Sequence, residues 1–136
     1  IRFELDTRQP IGLINARVGR QATELLEVIT KDKANMSNAT IVLNLGNNNK
    51  LTEEQVAAIF EEIKGQPRIV VVNTAVPRAW RGENNALIAQ YASMYGAYLV
   101  DWASISNGHP EYFAPDGVHL VPAGVRAYVD AITAKL

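Results

Sequence analysis

The sequence predicts an α/β protein, a three-layer α/β/α sandwich built on a parallel sheet. Short β-branched, apolar runs at residues 40–45, 68–73 and 98–102 alternate with amphipathic stretches of ten or more residues. Connections of that length between strands mean parallel pairing through right-handed crossovers, with helices covering the sheet. No internal repeat, low-complexity tract or linker interrupts the 136 residues, so one domain over residues 1–136 is expected.

Residues 1–9 alternate Ile1, Phe3 and Leu5 with charges, and the stretch reads as helix in preference to a short strand, ending at Pro10. After the break at Pro10 and Gly12, residues 13–18 are predicted as a short strand. Gly19 opens a helix to about Lys33, with Ala22, Leu25, Leu26 and Ile29 on one face. The run 40–45 is apolar almost throughout, which predicts a strand covered on both faces. Gly46-Asn47-Asn48-Asn49 is a turn by composition. Thr52 and Gln55 form a capping box for a helix over 53–64, with Val56, Ile59, Phe60 and Ile63 as its buried stripe. Gly65 and Pro67 close that helix, and 68–73 is the clearest strand of the chain. A loop holding Pro77, Arg78, Trp80 and Arg81 leads to a helix over 84–95, then to the strand 98–102. A long loop runs on to His119, and Pro122 sits in the first turn of a last helix reaching Ile132.

Composition removes several classes of function. Thirteen basic against fourteen acidic residues leave a net charge of −1, so no basic stripe argues for nucleic acid. The absence of cysteine excludes disulfides and thiolate metal sites and leaves the compartment open. No apolar run approaches membrane-spanning length and no signal-peptide pattern is present; a tether is expected, if anywhere, outside this stretch.

In a doubly wound sheet the site lies at the carboxyl ends of the strands. Gly19, Asn48, the 77–81 loop and the Asp116/His119 pair all follow predicted strands, so they are expected to converge. Asp116-Gly117-Val118-His119 lies between Pro115 and Pro122, a rigid turn in which a carboxylate folds back onto an imidazole and leaves the outer nitrogen as a base. Alone, the pair reads as a helix-capping carboxylate beside a surface histidine; the convergence tips it toward function. Asn48 offers either turn chemistry or an amide donor to an oxyanion, and Gly19 either a tight turn or a backbone N–H for the same purpose. Trp80, between Arg78 and Arg81, is equally a packing residue or a platform for a sugar ring, which makes Arg78 and Trp80 the candidate substrate-binding residues. His109 ranks second as a base, because Glu111 follows it too closely to orient it obviously. Ser37, Ser93, Ser104 and Ser106 are the only serines, and none sits on a strand-to-helix elbow. No Gly-Asp-Ser triplet or G-x-S-x-G motif occurs.

The chain nevertheless resembles the SGNH (GDSL-like) hydrolase superfamily, and within it the extracellular catalytic domain of bacterial peptidoglycan O-acetyltransferases. The resemblance runs from about Leu13 to the C-terminus. It rests on Ala16-Arg17-Val18-Gly19-Arg20-Gln21, Leu45-Gly46-Asn47-Asn48-Asn49, Val76-Pro77-Arg78-Ala79-Trp80, Val100-Asp101-Trp102 and the long stretch from Gly108-His109-Pro110 to Asp116-Gly117-Val118-His119-Leu120. It implies that Gly19 and Asn48 line the oxyanion hole and that Asp116 and His119 are the acid and base of a Ser-His-Asp triad. Two departures stand out: the family's Gly-Thr-Asn-Gly loop is here Gly46-Asn47-Asn48-Asn49, and the Gly-Asp-Ser block with its central strand is missing. A sheet lacking that strand exposes apolar edges. The chain is therefore expected to be part of a longer domain whose serine lies upstream of Ile1.

Two functions of different class follow. The first is a serine-dependent O-acetyltransferase or esterase, with an acetyl donor and a peptidoglycan glycan as acceptor. By the resemblance it needs no cofactor or metal, is monomeric, and lies at the outer face of the bacterial membrane, tethered upstream to a membrane-embedded acyltransferase domain. The second is a non-catalytic carbohydrate-binding relative that has lost its nucleophile and uses the Trp80 loop. A flavodoxin-like small-molecule binder ranks last, since 47–49 lacks the glycines and hydroxyls of a phosphate cradle.

Overall fold

The computed structural model describes residues 1, 4, 5 and 13–136. Its elements are α1 (Ala22–Asp32), β1 (Thr40–Asn44), α2 (Glu53–Ile63), β2 (Arg68–Val72), α3 (Arg81–Met94), β3 (Tyr98–Val100), α4 (Trp102–Ile105) and α5 (Pro122–Thr133). Single 3₁₀ turns occupy Lys33–Met36 and Pro110–Tyr112. The sheet runs β1-β2-β3, all parallel, with Thr40 opposite Arg68 and Val70 opposite Tyr98.

Side-chain alternation along the strands sends apolar groups to both faces. On one face Ile41, Leu43, Ile69 and Val71 join Ile29 of α1, Val56 and Phe60 of α2 and Ile88 of α3. On the other, Val70, Val72 and Val100 join Trp102 and, from α5, Tyr128 and Ile132. Helices therefore cover both sides, and the predicted three-layer α/β architecture is what forms. Phe60 has no exposed surface, and burial of that kind stabilises by roughly 2–3 kcal/mol per large side chain. The predicted box on α2 is present: Thr52 Oγ1 accepts from the Gln55 N–H at 3.2 Å, and the Thr52 N–H donates to Gln55 Oε1 at 3.1 Å.

Several expectations are corrected. Residues 13–18 form no strand; the segment is irregular and ends in a turn at 18–19. Leu13 is 63% and Val18 90% exposed, so their apolar character finds no sheet to bury it. β1 is not covered on both faces. Its burial alternates, with Val42 41% exposed; among the described residues the apolar cluster on that face joins β2, β3 and α5 and includes no side chain of β1. Among the described residues no strand pairs with the outer edge of β1. β2, at the centre, has four consecutive buried residues. Trp102 opens α4 where the sequence placed the end of a strand, and α3 starts at Arg81, three residues early. Glu4 and Leu5 are helical, the Leu5 N–H donating to the Ile1 carbonyl at 2.9 Å. The remainder of the helix expected over 1–9, and the break at Pro10 and Gly12, lie outside the described residues.

α5 approaches the loop before it through Gly124, whose absent Cβ would lie 2.1 Å from the Tyr112 carbonyl oxygen. Backbone cannot yield as a side chain does, and overpacking a core costs about 1–3 kcal/mol or more. Gly124→Ala is expected to lower unfolding stability by at least about 2 kcal/mol in urea titration. A loss under about 0.5 kcal/mol, the scale of a neutral surface change, would contradict this contact.

Candidate functional site

The loop after α4 is tied to the core at its base. Trp102 packs against Tyr112, Phe113 and Tyr128 with ring centroids 6.0, 6.2 and 5.1 Å away. Phe113 and Leu120 form an antiparallel bridge, and the Val121 N–H donates to the Tyr112 carbonyl at 3.0 Å. At the tip, the Gly117 N–H reaches the Ala114 carbonyl at 2.9 Å, and Gly117 takes the left-handed φ of +68° that glycine permits.

This turn brings Asp116 and His119 together. Asp116 Oδ2 lies 2.6 Å from His119 Nδ1, while Oδ1 accepts the N–H groups of Val118 (2.8 Å) and His119 (3.0 Å). The His119 hydrogen bond first, then those two backbone N–H groups, pull the Asp116 carboxyl from its ordinary 3.8 to about 2. An ionised carboxylate only accepts, so Nδ1 carries the proton of this bond and Nε2 is the unprotonated nitrogen of the neutral ring. The His119 side chain is 72% exposed, which leaves that outer nitrogen open to a substrate.

The opposite side is built from 15–24 and the turn after β1. Arg20 holds Asn15 with both terminal guanidinium nitrogens, 2.8 Å to the carbonyl and 2.7 Å to Oδ1. The Gln21 N–H donates to Glu24 at 2.8 Å, and Arg17 pairs with the same carboxylate, fixing the start of α1. Gly19 sits in the preceding turn at φ +74°. Asn48 Nδ2 donates to the Arg20 carbonyl at 3.2 Å. One amide hydrogen is thus used to orient Asn48, and an amide nitrogen has a second.

A cleft of about 370 Å³ opens between the turn after β1 and the base of the Asp116 loop, with Asn44, Asn47, Val76, Val118, Leu120 and Tyr128 in its lining; Gly19, Asn48, Asp116 and His119 are not among its lining residues. Asn47 Nδ2 donates to Asn44 Oδ1 at 2.6 Å. A Cβ on Gly117 would lie 3.5 Å from Pro77, so the Asp116 turn rests on the loop after β2. Asn48 and the 77–81 loop follow strand ends as expected. Gly19 does not, because no strand forms before it; the Arg20–Asn48 bond brings it near instead. Arg78 is exposed, whereas Trp80 is half-buried with a shielded indole N–H that finds no partner among the described residues. Ser104 donates to Asp101 Oδ2 (2.7 Å) and Ser106 to the Trp102 carbonyl (2.7 Å). No described serine is hydrogen-bonded to His119. Among the described residues no group of three or more metal-ligating side chains gathers.

Two features were missed. Glu111 does hold His109, Oε1 to Nδ1 at 2.7 Å, because the 3₁₀ turn at Pro110–Tyr112 swings the carboxylate back. The other is a set of buried and half-buried amides that serve the backbone at the strand ends. Asn84 binds the 46–51 loop, Asn85 binds both backbone groups of Thr74 (3.0 and 2.9 Å), and Asn73 binds Asp101 (2.8 Å). Burial raises the Asp101 carboxyl, but Ser104 and Asn73 outweigh it and leave it below its ordinary value. The paired Asn84-Asn85 beside a turn-rich loop was the available signal.

No family model matches the chain. It is 41% identical over 124 residues, 90% of its own length, to peptidoglycan O-acetyltransferase OatA of Listeria monocytogenes. It is 38% identical over 115 residues, 83% of the chain, to the provisionally named peptidoglycan O-acetyltransferase YrhL of Bacillus subtilis. A provisionally named O-acetyltransferase of Staphylococcus aureus is 37% identical over 130 residues, 93% of the chain. The chain spans about one fifth of the length of these relatives, 20, 18 and 21% respectively. Relatives of the kind its motifs suggested are thus found, for one region of longer proteins.

The Asp116 geometry has a measurable sign. A carboxyl held below its unfolded value contributes stability above pH 3.8, lost as pH falls toward 2. Carboxyl NMR should place Asp116 near 2. In His119→Ala its pKa should rise yet stay under 3.8, since two backbone N–H bonds remain. No change in that variant would mean the pair does not form in solution.

Proposed function

We propose that this chain, homologous to one region of the peptidoglycan O-acetyltransferases, is the acyl-transfer domain of an SGNH-type enzyme acting on cell-wall glycan. The observation that carries the reading is the Asp116–His119 pair. Its carboxylate is fixed by three hydrogen bonds and its imidazole presents an exposed outer nitrogen. The names of the relatives support acetyl as the acyl group and peptidoglycan as its acceptor.

In this reading a serine lies upstream of residue 1, on a strand that adds to the edge of β1 with which no described strand pairs. His119 Nε2 takes the serine proton as Oγ attacks the acetyl carbonyl carbon. The C=O electron pair moves onto oxygen, where the Gly19 N–H, the second Asn48 amide hydrogen and the serine's own N–H hold it. Collapse expels the donor's leaving group, which takes the proton from Nε2. A muramic-acid hydroxyl then attacks the acetyl-serine, giving its proton to Nε2, and the serine leaves with that proton; water in its place gives hydrolysis. Asp116 stabilises the imidazolium formed in each step. Arg78 and Trp80 border the acceptor side.

The reading places the domain outside the cell. No helix of the described residues is long and apolar enough to cross a membrane. The tether and the membrane-embedded domain that delivers the donor would lie in the remaining four-fifths of a protein like the relatives.

The test uses the protein at its native length. A fluorophosphonate should give one adduct, mapped by peptide mass spectrometry to a serine outside residues 1–136. His119→Ala should lose about 10⁴-fold in acetyl-ester turnover with an unchanged circular dichroism spectrum. Turnover retained in that variant overturns the mechanism. Glycan binding without adduct or turnover would favour the carbohydrate-binding module instead.

A further inference from the structure

Resting on the acyl-transfer reading, we propose that Asn84 is the positioning residue of the oxyanion-binding loop, fixing the backbone that carries Asn48 through three hydrogen bonds from one buried amide. Asn84 lies in the first turn of α3 and is 1% exposed. Its Oδ1 accepts the Leu51 N–H at 2.8 Å, and its Nδ2 donates to the carbonyls of Gly46 (3.1 Å) and Asn49 (2.8 Å). Those three backbone groups bracket Asn48 in sequence. All the heavy-atom capacity of the amide is directed at one loop, across 33 to 38 residues of chain.

The loop needs such a partner because it belongs to neither β1 nor α2, so its inward N–H and C=O groups lack a ladder. Its outward side has a lighter hold, the Asn48 bond to the Arg20 carbonyl at 3.2 Å. The inner clamp therefore sets the backbone and the outer bond sets the side chain. Packing closes the same contact. Gly46 adopts φ +88°, and a Cβ there would lie 3.1 Å from Thr74 Cγ2 and 3.3 Å from Asn84 Nδ2. Thr74 is itself held by Asn85 on the same helical turn.

The chemistry is specific to asparagine at this position. Aspartate keeps the acceptor for Leu51 but turns two donors into acceptors facing carbonyls, and serine supplies a single short hydroxyl. Neither restores the loop. A shift of a few tenths of an ångström in Asn48 matters more in the transition state, where the oxyanion exists, than in substrate binding.

The experiment measures acetyl-ester hydrolysis by the native-length protein carrying Asn84→Ala, Asn84→Ser, Asn48→Ala and the double change Asn48→Ala/Asn84→Ala, with amide hydrogen exchange at Leu51. Asn48→Ala should lower kcat about 10²–10³-fold. Asn84→Ala should lower kcat by about 30-fold or more with KM within about 2-fold, and the double variant should be within about 3-fold of Asn48→Ala alone, since both act on one interaction. Leu51 exchange should quicken in Asn84→Ala and Asn84→Ser while core amides stay protected. Multiplicative losses in the double variant, or Leu51 exchange unchanged in both single variants, overturn the proposal. If Asn84→Ala does not fold, the same cycle run with Asn84→Ser decides by the same criterion. Full activity in Asn48→Ala refutes the oxyanion role on which the proposal rests, and the Leu51 exchange result then reports the clamp separately.

Discussion

Parallel pairing of the three strands is the constraint on which the remaining structure depends. Because β1, β2 and β3 run the same way, β1 and β2 must each be followed by a crossover, and all three carboxyl ends reach one rim of the sheet. The ladder runs one residue past β1 and β2, where the Leu45 N–H donates to the Val72 carbonyl and the Asn73 N–H to the Val100 carbonyl; beyond it the backbone polar groups need other partners. Side-chain amides take them over. Asn73 spans from the end of β2 to Asp101 and the Ala103 N–H, Asn84 reaches the loop beyond β1, and Asn85 takes Thr74. The candidate site is assembled on this rim of neutral amides. Uncharged groups suit it, since burying them with partners avoids the desolvation that buried charges incur.

The same loop holds two histidine–carboxylate pairs, and physical detail separates them. His109 lies flat on Tyr112, 4.6 Å between centroids and 8° from parallel, and its partner Glu111 is an exposed residue on a short 3₁₀ turn. Asp116 has one oxygen committed to two backbone N–H groups and the other to His119. Its carboxylate plane is therefore set by the turn itself, and the imidazole inherits that orientation. Preorganisation, more than the presence of an acid beside a base, favours the second pair.

What was legible in the sequence was what depends on local pattern. The apolar run of β2, the stripe on α2, the Thr52–Gln55 box and the Asp116 turn each follow from residues within a few positions of one another. Strand identity for 13–18 was misread because a strand exists only through a partner, and β-propensity describes fitness for a sheet already present. The half-open face of β1 escaped for a related reason: which face a distant helix covers is a property of the packing. Asn84 was missed because an asparagine in a polar-looking helical stretch carries no apolar pattern to mark it as buried, and its pairing with Asn85 beside a turn-rich loop is a weak signal. Its partners lie more than thirty positions away. Glu111 was discounted on linear spacing that the 3₁₀ turn overrides.

The two registers carry a kinetic consequence. Thr40 meets Arg68 and Val70 meets Tyr98, so both crossovers close over 28 residues. The chain entropy lost in closing a loop grows only with the logarithm of its length, so it assigns no order to the two events. Return on closure does: β1 and β2 align five residue pairs, β2 and β3 only three. The crossover containing α2, with its capped start and fully buried stripe, is thus the one whose closure is repaid first. On this count β3 is expected to dock onto a strand pair already made, and the Asp116 loop, which follows β3, to take its shape last.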